Sequence, residues 1–441
     1  MTNRRLLVAV LLSVTLIPLN STMMAVGIVP IAHGLSAPVS YVVWVVTAYL
    51  IVMAATQPIT GKLGDIFGQR RLLLTGLVTF LGSSMAAASI PHLWALIAFR
   101  SGQALGGALI MPNALAILRR TYAGPNLPKV LGIVNLSQGL SAALGPLVAS
   151  ILIQWAGWPA MFWVNLPIAL LAVILGWRSF PEVPSRSRSI DVYGSLSLAG
   201  FLAFLALTLT HVKIVPWPLA LTMMLTLMAV FVWAEHKAKD PVVRWLFFRN
   251  RGFRNANFAI LVNNFFMYSL ILYIPMSLRA RPDGVALAGV LLFALSIVMS
   301  LNSWLGSRLA PSLGPRRLVG VAFALDGLVV LWLFSAGSHA TIGWLSVGMI
   351  LAGVGVGLGL TAMQVTSLES VGPDNAGSSS GIYSTFRYLG SISSSALLAL
   401  MVSNSNARWI LLALAAVIGL GLSRGFPEQR HGLVPVDSSA R

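Results

Sequence analysis

The sequence predicts an all-α membrane protein built from fourteen transmembrane helices. Three observations lead to this fold class: 57% of the 441 residues are hydrophobic, only 9% are charged, and the charged residues fall almost entirely in short breaks between long apolar runs. A bilayer core about 30 Å thick needs roughly 20 apolar residues per helix. Because hydrocarbon offers no hydrogen-bond partners, each run must satisfy its own backbone groups, which an α-helix does.

The apolar runs follow one another in order, and their ends carry Gly, Pro and paired basic residues, as at Gly68-Gln69-Arg70-Arg71. The first run follows Arg4-Arg5 and is longer than the apolar core of a signal peptide, which predicts an uncleaved first span. The longest break, from Lys237 to Arg254, is too short for a soluble domain. The predicted spans cover residues 6–32, 41–61, 72–90, 93–118, 129–154, 159–177, 191–211, 216–236, 255–278, 285–310, 317–337, 341–367, 376–403 and 408–423.

The net charge of +18 is not spread evenly along the chain. Most Lys and Arg residues fall in every second break, whereas the other breaks hold only Lys213, Arg279, Arg281 and Arg408. This asymmetry is the positive-inside pattern of membrane proteins, not a nucleic-acid surface. It predicts an even number of spans in a cell membrane (the inner or plasma membrane), with both termini cytoplasmic.

Composition and motifs exclude several kinds of site. The chain has no cysteine, so disulfides and thiolate metal sites are impossible. It contains neither a phosphate-binding Gly-Lys-Ser loop nor a His-x-x-His pair. We therefore expect no metal, no cofactor and no enzymatic activity, and we expect any transport to run on a gradient.

A weak internal repeat predicts two bundles of six helices. The Gly68 segment between spans two and three returns 246 residues later as Gly314-Pro315-Arg316-Arg317, and Gly132-Ile133 returns as Gly381-Ile382. Parallel repeats of this kind are typical of transporters whose halves rock about a central site. The predicted units are residues 1–180, two inserted helices in 181–240, and residues 241–441 with a short cytoplasmic tail. The alternative is that Gly-x-Arg-Arg is ordinary loop punctuation.

The segment from Gly61 to Arg71 carries the most specific motif, Gly-Lys-Leu-Gly-Asp-Ile-Phe-Gly-Gln-Arg-Arg. It resembles the loop between spans two and three of the major facilitator superfamily. The resemblance implies a cytoplasmic latch that holds one conformation and breaks during alternating access. Its residues here are Gly61, Asp65, Gly68, Arg70 and Arg71. We expect Asp65 to lie in a short loop and to accept hydrogen bonds from a helix N-terminus or a nearby Arg.

Further motifs resemble the fourteen-span drug:proton antiporter family over nearly the whole chain. Arg100 lies inside span four, where a charge is costly unless it is paired or hydrated. Gly145-Pro146 resembles the family's antiporter motif, although Ala149 and Ser150 replace two of its glycines. Trp158, the segments 162–167, 191–194 and 246–253, and the glycines of span thirteen match as well. The resemblance implies export of drug-like compounds in exchange for protons.

One departure from that family concerns the proton. The family carries an Asp in span one, a leading candidate for its proton site, but this chain has Asn20, which does not titrate. Of the eleven acidic residues, only Asp326 lies deep in a span. Asp326 is therefore the proton-coupling candidate. The alternative is a structural contact, including a hydrogen bond to spans seven and eight.

The predicted substrate cavity lies between spans one, four, nine and twelve, with help from spans two, five, ten and thirteen. Arg100 is expected to face it near Asn20, with the Asn20 carbonyl and Gln138 as acceptors. Two Arg without a certain carboxylate favour neutral or anionic compounds over dications. The predicted cavity residues are Asn20, Met24, Arg100, Gln103, Asn135, Gln138, Asn263, Phe266, Gln364, Tyr383 and Arg387.

The resulting hypothesis is a secondary active transporter that exports small amphiphilic or drug-like compounds by proton antiport and rocking alternating access. Its expected partners are a small-molecule substrate, protons and the lipid bilayer, and its expected state is a monomer. Asn20 leaves open a proton-independent facilitator or organic-anion exporter. The weakened antiporter motif leaves open a transport-dead sensor with the same fold.

Overall fold

All regular secondary structure in the described residues of this computed structural model is α-helical, as the composition predicts. The described residues are 2–42, 44–122, 126–181, 191–209, 216–238, 245–278, 281, 284–335, 341–372, 375–403 and 405–428. The acidic tail residue Asp437 and the outer-break residues Lys213 and Arg279 lie outside them.

The first part of the chain forms eight helices. They are α1 (Thr2–Gly34), α2 (Val39–Val42), α3 (Trp44–Phe67), α4 (Gln69–Ser89), α5 (Leu93–Thr121), α6 (Asn126–Ala156), α7 (Ala160–Trp163) and α8 (Asn165–Ser179). The long ones correspond to predicted spans one to six. The prolines inside α1, α3, α5 and α6 do not end these helices, which transmembrane helices tolerate because neighbouring groups satisfy the freed carbonyls.

The remaining helices follow in the same way. They are α9 (Val192–Leu209), α10 (Trp217–Lys237), α11 (Trp245–Arg249), α12 (Arg251–Ser277), α13 (Gly284–Ser335), α14 (Ile342–Glu369), α15 (Ala376–Ser403) and α16 (Ser405–Ser423). Within the described residues, ten helices are long and apolar enough to cross a membrane, and the stretch Leu287–Ser335 counts once among them. The count of fourteen spans stays a prediction.

Helix α13 consists of two predicted spans joined by a sharp turn. Its backbone leaves the helical conformation only at Gly314, whose φ is 77°. Gly68, between α3 and α4, has a φ of 95°. Only glycine adopts such angles without a steric cost. The two glycines that the repeat pairs 246 residues apart thus make the same kind of turn, so the repeat extends to backbone conformation.

The helices pack into clusters that follow the two halves of the chain. One cluster joins buried side chains of α12, α13, α14 and α16, and two others draw almost wholly on α1 to α8. The inserted pair, α9 and α10, packs through Leu198, Leu202 and Phe231 against Ala55 of α3, with Leu389 of α15 alongside. The pair therefore covers the line where the two halves meet. The residue boundaries of the three units stay a prediction.

Candidate substrate cavity and latch

A cavity of about 220 Å³ lies between the two halves. Helices α1, α3 and α6 line it from the first half, and α12, α13, α14 and α15 line it from the second. Its apolar wall includes Ile17, Leu50, Met267, Met299 and Val356. The polar lining side chains are Ser21, Thr22, Tyr49, Asn135, Gln138, Asn263, Asn264, Tyr268, Ser300, Ser303, Arg387, Tyr388 and Ser391. Span four was expected among the walls, but α5 lies behind α3 instead.

Four of the predicted cavity residues line this space: Asn135, Gln138, Asn263 and Arg387. Met24 and Phe266 are almost fully buried within the clusters of the first and second half. Tyr383 is also buried, and its hydroxyl has no hydrogen-bond partner in the described part of the chain. A role for these three in contacting substrate stays a prediction.

Arg100 does not face the cavity, contrary to expectation. It is fully buried, and its guanidinium lies 4.3 Å from the ring centroid of Tyr49, which does line the cavity. Its Nε donates to the Val45 carbonyl at 3.2 Å, and a terminal nitrogen donates to Gln103 Oε1 at 2.8 Å. These acceptors replace the predicted Asn20 carbonyl and Gln138, because Gln103, one helical turn along α5, is closer.

Asn20 belongs to the same hydrogen-bond network and is linked to Arg100 through Gln103. Its amide donates to Gln103 Oε1 at 3.3 Å, and its oxygen accepts from Asn165 Nδ2 at 3.4 Å. Gln103 in turn donates to Ser84 Oγ at 2.6 Å. Asn20 therefore occupies a fully buried, hydrogen-bonded position behind the cavity wall. A carboxylate there would reach Arg100 only through Gln103 or by displacing it.

The latch motif closes one side of the molecule, where α3, α5 and α14 end and α6 and α15 begin. We call this the gate side. Asp65 accepts hydrogen bonds from the backbone N–H groups of Gly377 and Ser378 at 3.0 and 2.8 Å, and from the Ser378 hydroxyl at 2.8 Å. Gln69 Nε2 donates to it at 2.9 Å. A carboxylate at the N-terminus of α15 satisfies unpaired N–H groups and favours the helix dipole.

The structure corrects the expected position of Asp65. It lies in the last turn of α3, not in a loop, and is only 5% exposed. Next to it, Gly61 allows α3 and α15 to touch, because a Cβ at Gly61 would collide with the Gly377 carbonyl. The contact of α3 with α15 therefore depends on the charge of Asp65 and on the lack of a side chain at Gly61.

The two arginines of the motif act differently from Asp65. Arg70 donates to the Trp177 carbonyl at 2.6 Å and lies 5.8 Å from the centre of that indole, so it ties α4 to α8 within the first half. Arg71 is exposed on α4. Gly68 supplies the turn between α3 and α4 through its positive φ.

Two more contacts cross the halves near the gate side. Asn135 donates to Thr361 Oγ1 and Gln364 Oε1, both at 3.1 Å. Gln364 is thus a partner of Asn135 and does not line the cavity. Arg119 at the end of α5 donates to the Leu368 carbonyl at 3.4 Å.

Gly145 of the half-kept antiporter motif brings α6 against α1. A Cβ at Gly145 would collide with the Thr22 side chain and lie 3.1 Å from the Leu19 carbonyl. Pro146 follows inside α6. The motif therefore fixes the packing of α6 beside Asn20, which supports its sequence interpretation as a site of close helix approach.

Asp326 is fully buried on the second segment of α13. Neither of its oxygens has a hydrogen-bond partner in the described part of the chain. Its carboxyl faces Gly355 of α14, whose neighbour Val356 lines the cavity. The alternative of a hydrogen bond to spans seven and eight is not found among the described residues, where α9 packs against α3 and α15 and α10 packs against α9.

Sequence reasoning missed several residues of the cavity and the gate. Tyr49, Tyr388 and Ser391 line the cavity, and Ser378 in the first turn of α15 donates to Asp65 through its backbone N–H and its hydroxyl. The run Gly377-Ser378-Ser379-Ser380 before an apolar stretch was a usable signal, since serine and glycine are common at helix N-termini. The tyrosines gave no signal, because an aromatic residue in an apolar span looks the same whether it faces cavity, protein or lipid.

Comparisons with known proteins agree with this architecture. A model of the Major Facilitator Superfamily matches residues 10–395. The chain is 38% identical over 440 residues to the uncharacterized MFS-type transporter YvkA of Bacillus subtilis (strain 168), covering 98% of both chains. It is 26% identical over 423 residues to the methylenomycin A resistance protein of the same organism, covering 94% of this chain and 91% of that protein.

A similar fold occurs among solved structures. The crystal structure of the human organic anion transporter MFSD10 (TETRAN) superposes with a TM-score of 0.72 at 16% identity, covering 95% of this chain and 99% of that one. Among the described residues there is no cluster of His, Asp and Glu that would hold a metal ion. The chain belongs to the major facilitator superfamily and is a multi-pass membrane transporter.

Proposed function

We propose that the protein is a secondary active transporter that exports small amphiphilic or drug-like compounds in exchange for protons, by alternating access of a fourteen-span fold. The observation that carries the proposal is an amphiphilic cavity between two halves that are latched together at the gate side. Related proteins named for antibiotic resistance support export as the direction. The basic breaks of the chain support a cytoplasmic gate side and cytoplasmic termini.

The gate has the properties that alternating access requires. Its cross-half contacts are Asp65 with Gly377 and Ser378, Asn135 with Gln364 and Thr361, and Arg119 with Leu368. Each is a hydrogen bond that water can replace when the gate opens. The net free energy of such bonds is small, about 0.5–3 kcal/mol each. A few kcal/mol is enough to shift a population between two states.

The cavity lining favours compounds that are varied in shape. Met267 and Met299 are flexible and polarizable, and tyrosines present both a flat apolar face and a hydroxyl. Polar groups lie on both halves, so a ligand with separated polar ends contacts both at once. Such a lining suits amphiphilic molecules better than sugars or ions, which need denser hydrogen bonding.

We propose that Asp326 carries the coupled proton. An ionised carboxylate without a partner is expensive in a membrane interior, so this group is a functional candidate. The carboxyl of Asp326 contacts Gly355, which precedes Val356 of the cavity wall in α14. A change in the protonation of Asp326 therefore acts on a residue next to the cavity wall. A proton-independent facilitator is the second candidate, and it is favoured by the lack of Asp or Glu among the described residues that line the cavity.

Two measurements test the proposal. The first is accumulation of a broad panel of compounds in an efflux-deficient bacterium, where expression of the protein is expected to lower accumulation of some of them. The second is proton movement in proteoliposomes when a transported compound is added. Flux with protons supports the antiporter, and flux without protons supports the facilitator. No flux of any compound, with the protein present in the membrane, contradicts export and leaves the transport-dead sensor.

A further inference from the structure

We infer that the cavity selects organic anions, with Arg387 as the residue that pairs with a carboxylate or sulfonate of the substrate. This inference rests on the proposed transport function and names the substrate class of the same cavity. Arg387 is the only charged side chain among the described residues that line the cavity. It is partly buried on α15, close to the aromatic ring of Tyr388, with 5.5 Å between the guanidinium carbon and the ring centroid.

The charge of Arg387 is uncompensated in this cavity. The described lining residues include no Asp or Glu, and the buried carboxyl of Asp326 faces Gly355 of α14 and does not line the cavity. A partly buried guanidinium is destabilised unless an anion or water accompanies it. A planar guanidinium also matches the geometry of a carboxylate or sulfonate, to which it donates two hydrogen bonds. An anionic ligand therefore supplies the negative charge that the described cavity lining does not provide for Arg387.

Arg100 adds a second positive charge behind the wall. Its guanidinium lies over the face of Tyr49, whose ring lines the cavity and whose hydroxyl has no hydrogen-bond partner among the described groups. The acceptors of Arg100 are neutral, a carbonyl and an amide, so they do not cancel its charge. Arg100 therefore adds to the positive charge beside the cavity, which disfavours cationic ligands.

Unpaired amide groups complete the site. Asn263 is 1% exposed and lines the cavity, yet neither its nitrogen nor its oxygen has a partner in the described part of the chain. Gln138 Nε2 is unpaired in the same sense. Buried polar groups are normally hydrogen-bonded, so unpaired ones that face a cavity indicate a ligand or water that binds them. Both residues line the cavity, so their unpaired N–H groups leave donor capacity beside an anion held by Arg387.

Binding to the purified full chain in lipid nanodiscs tests this inference with three ligands of one shape. The ligands are 2-naphthalenesulfonate, the neutral 2-naphthalenesulfonamide and the 2-naphthamidinium cation, and equilibrium dialysis gives each dissociation constant. We expect the sulfonate to bind about tenfold or more tightly than the sulfonamide, and the cation to bind most weakly. Equal affinity of the sulfonate and the cation, or no binding of the sulfonate, would overturn the inference.

Variants assign the preference to Arg387. R387Q is expected to weaken sulfonate binding about tenfold and to leave sulfonamide binding within about twofold. R387K is expected to lose less sulfonate affinity than R387Q, because it keeps the positive charge but not the planar pair of donors. The matched control is R308Q, because Arg308 is exposed and stacks on Trp304 outside the cavity. The R308Q protein is expected to bind all three ligands as the wild type does. Sulfonamide binding shows that R387Q is folded. Unchanged sulfonate binding in a folded R387Q protein would overturn the assignment.

The binding test is independent of the export test. Export of cationic compounds from cells without sulfonate binding would leave the proposed transport function standing and refute the anion preference. Sulfonate selectivity that depends on Arg387, without export of any compound, would support the anion preference and contradict the proposed export function.

Discussion

Two buried carboxyl groups of this protein, Asp65 and Asp326, differ in every neighbour. Asp65 accepts hydrogen bonds from two backbone N–H groups, a hydroxyl and an amide, and it joins the two halves at the gate side. Asp326 lies within one half and faces Gly355 without a hydrogen-bond partner among the described residues. The difference shows how one residue type serves two purposes: a fully hydrogen-bonded carboxylate holds a contact, whereas an unpaired one is suited to gaining and losing a proton.

The largest expected effect comes from filling the space between α3 and α15 at Gly61, where the close approach of the two helices brings Asp65 to its partners. Gly61→Ala places a Cβ against the Gly377 carbonyl, and overpacking of this kind costs about 1–3 kcal/mol. Because the cost falls only on the gate-closed state, we expect transport in proteoliposomes to fall about tenfold or more.

The matched control for Gly61→Ala is Gly82→Ala on α4, where a Cβ meets nothing within 4 Å. This variant is expected to transport at the wild-type rate. Equal rates in the two variants would show that the approach of α3 to α15 does not limit the transport cycle.

The second effect is on the gate itself. Asp65→Asn removes the negative charge and replaces an acceptor with an amide donor that faces the N–H groups of α15. Hydrogen bonds to charged groups contribute about 1.5–3 kcal/mol, so the gate should open and the melting temperature should fall by several degrees. We expect this loss of stability because Asp65 is buried; the same substitution in an exposed loop would leave stability nearly unchanged.

Spin-label distances measure the opening directly. The chain has no cysteine, so Phe67→Cys and Arg424→Cys, both exposed positions at the gate side, accept labels without background. We expect a longer distance population in Asp65→Asn than in the wild type. An unchanged distance distribution, with wild-type transport, would remove the latch role from Asp65.

The third prediction concerns Asp326. Asp326→Asn has nearly the shape of the neutral acid, and replacing a group that has no partner leaves stability almost unchanged, with a melting temperature within about 2 °C of the wild type. Substrate-dependent proton movement in proteoliposomes should be lost, whereas downhill flux of substrate is retained. Retained proton coupling would assign the proton to another group, and a strong loss of stability would reveal a partner for the carboxylate.

The smallest effect is expected at Asn20. Asn20→Asp introduces a carboxylate beside Gln103 and Asn165, one residue removed from Arg100. We expect acceptance of cationic compounds to rise a few-fold and transport to depend more steeply on the proton gradient, because the positive charge of Arg100 becomes compensated. Cellular accumulation of matched cationic and anionic dyes at two external pH values measures both quantities. A variant that expresses normally and changes neither quantity would separate Asn20 from the site of the family's Asp.

The sequence was sufficient for the features that depend on the bilayer and on local geometry. Apolar runs must become helices because hydrocarbon satisfies no backbone group, and the glycines at 68 and 314 were recognisable as turns because few other residues adopt such angles. The motif predicted a latch role for Asp65, which stays a prediction, and a helix N-terminus, one of its two predicted partners, is the partner that the structure shows.

Tertiary structure decided which side of each helix faces the cavity. Spans that are apolar on every side carry no periodic signal to orient them, so Arg387 and Arg100 looked equivalent in the sequence. Packing placed Arg387 in the cavity wall and placed Arg100 behind Tyr49, where Gln103 takes the hydrogen bond expected of Asn20. One alternative for Asp326 was a contact with the inserted helices, but α9 packs against α3 and α15, and α10 packs against α9. Side-chain contacts between distant spans depend on how helices rotate and cross, and that choice is made by packing, not by hydropathy.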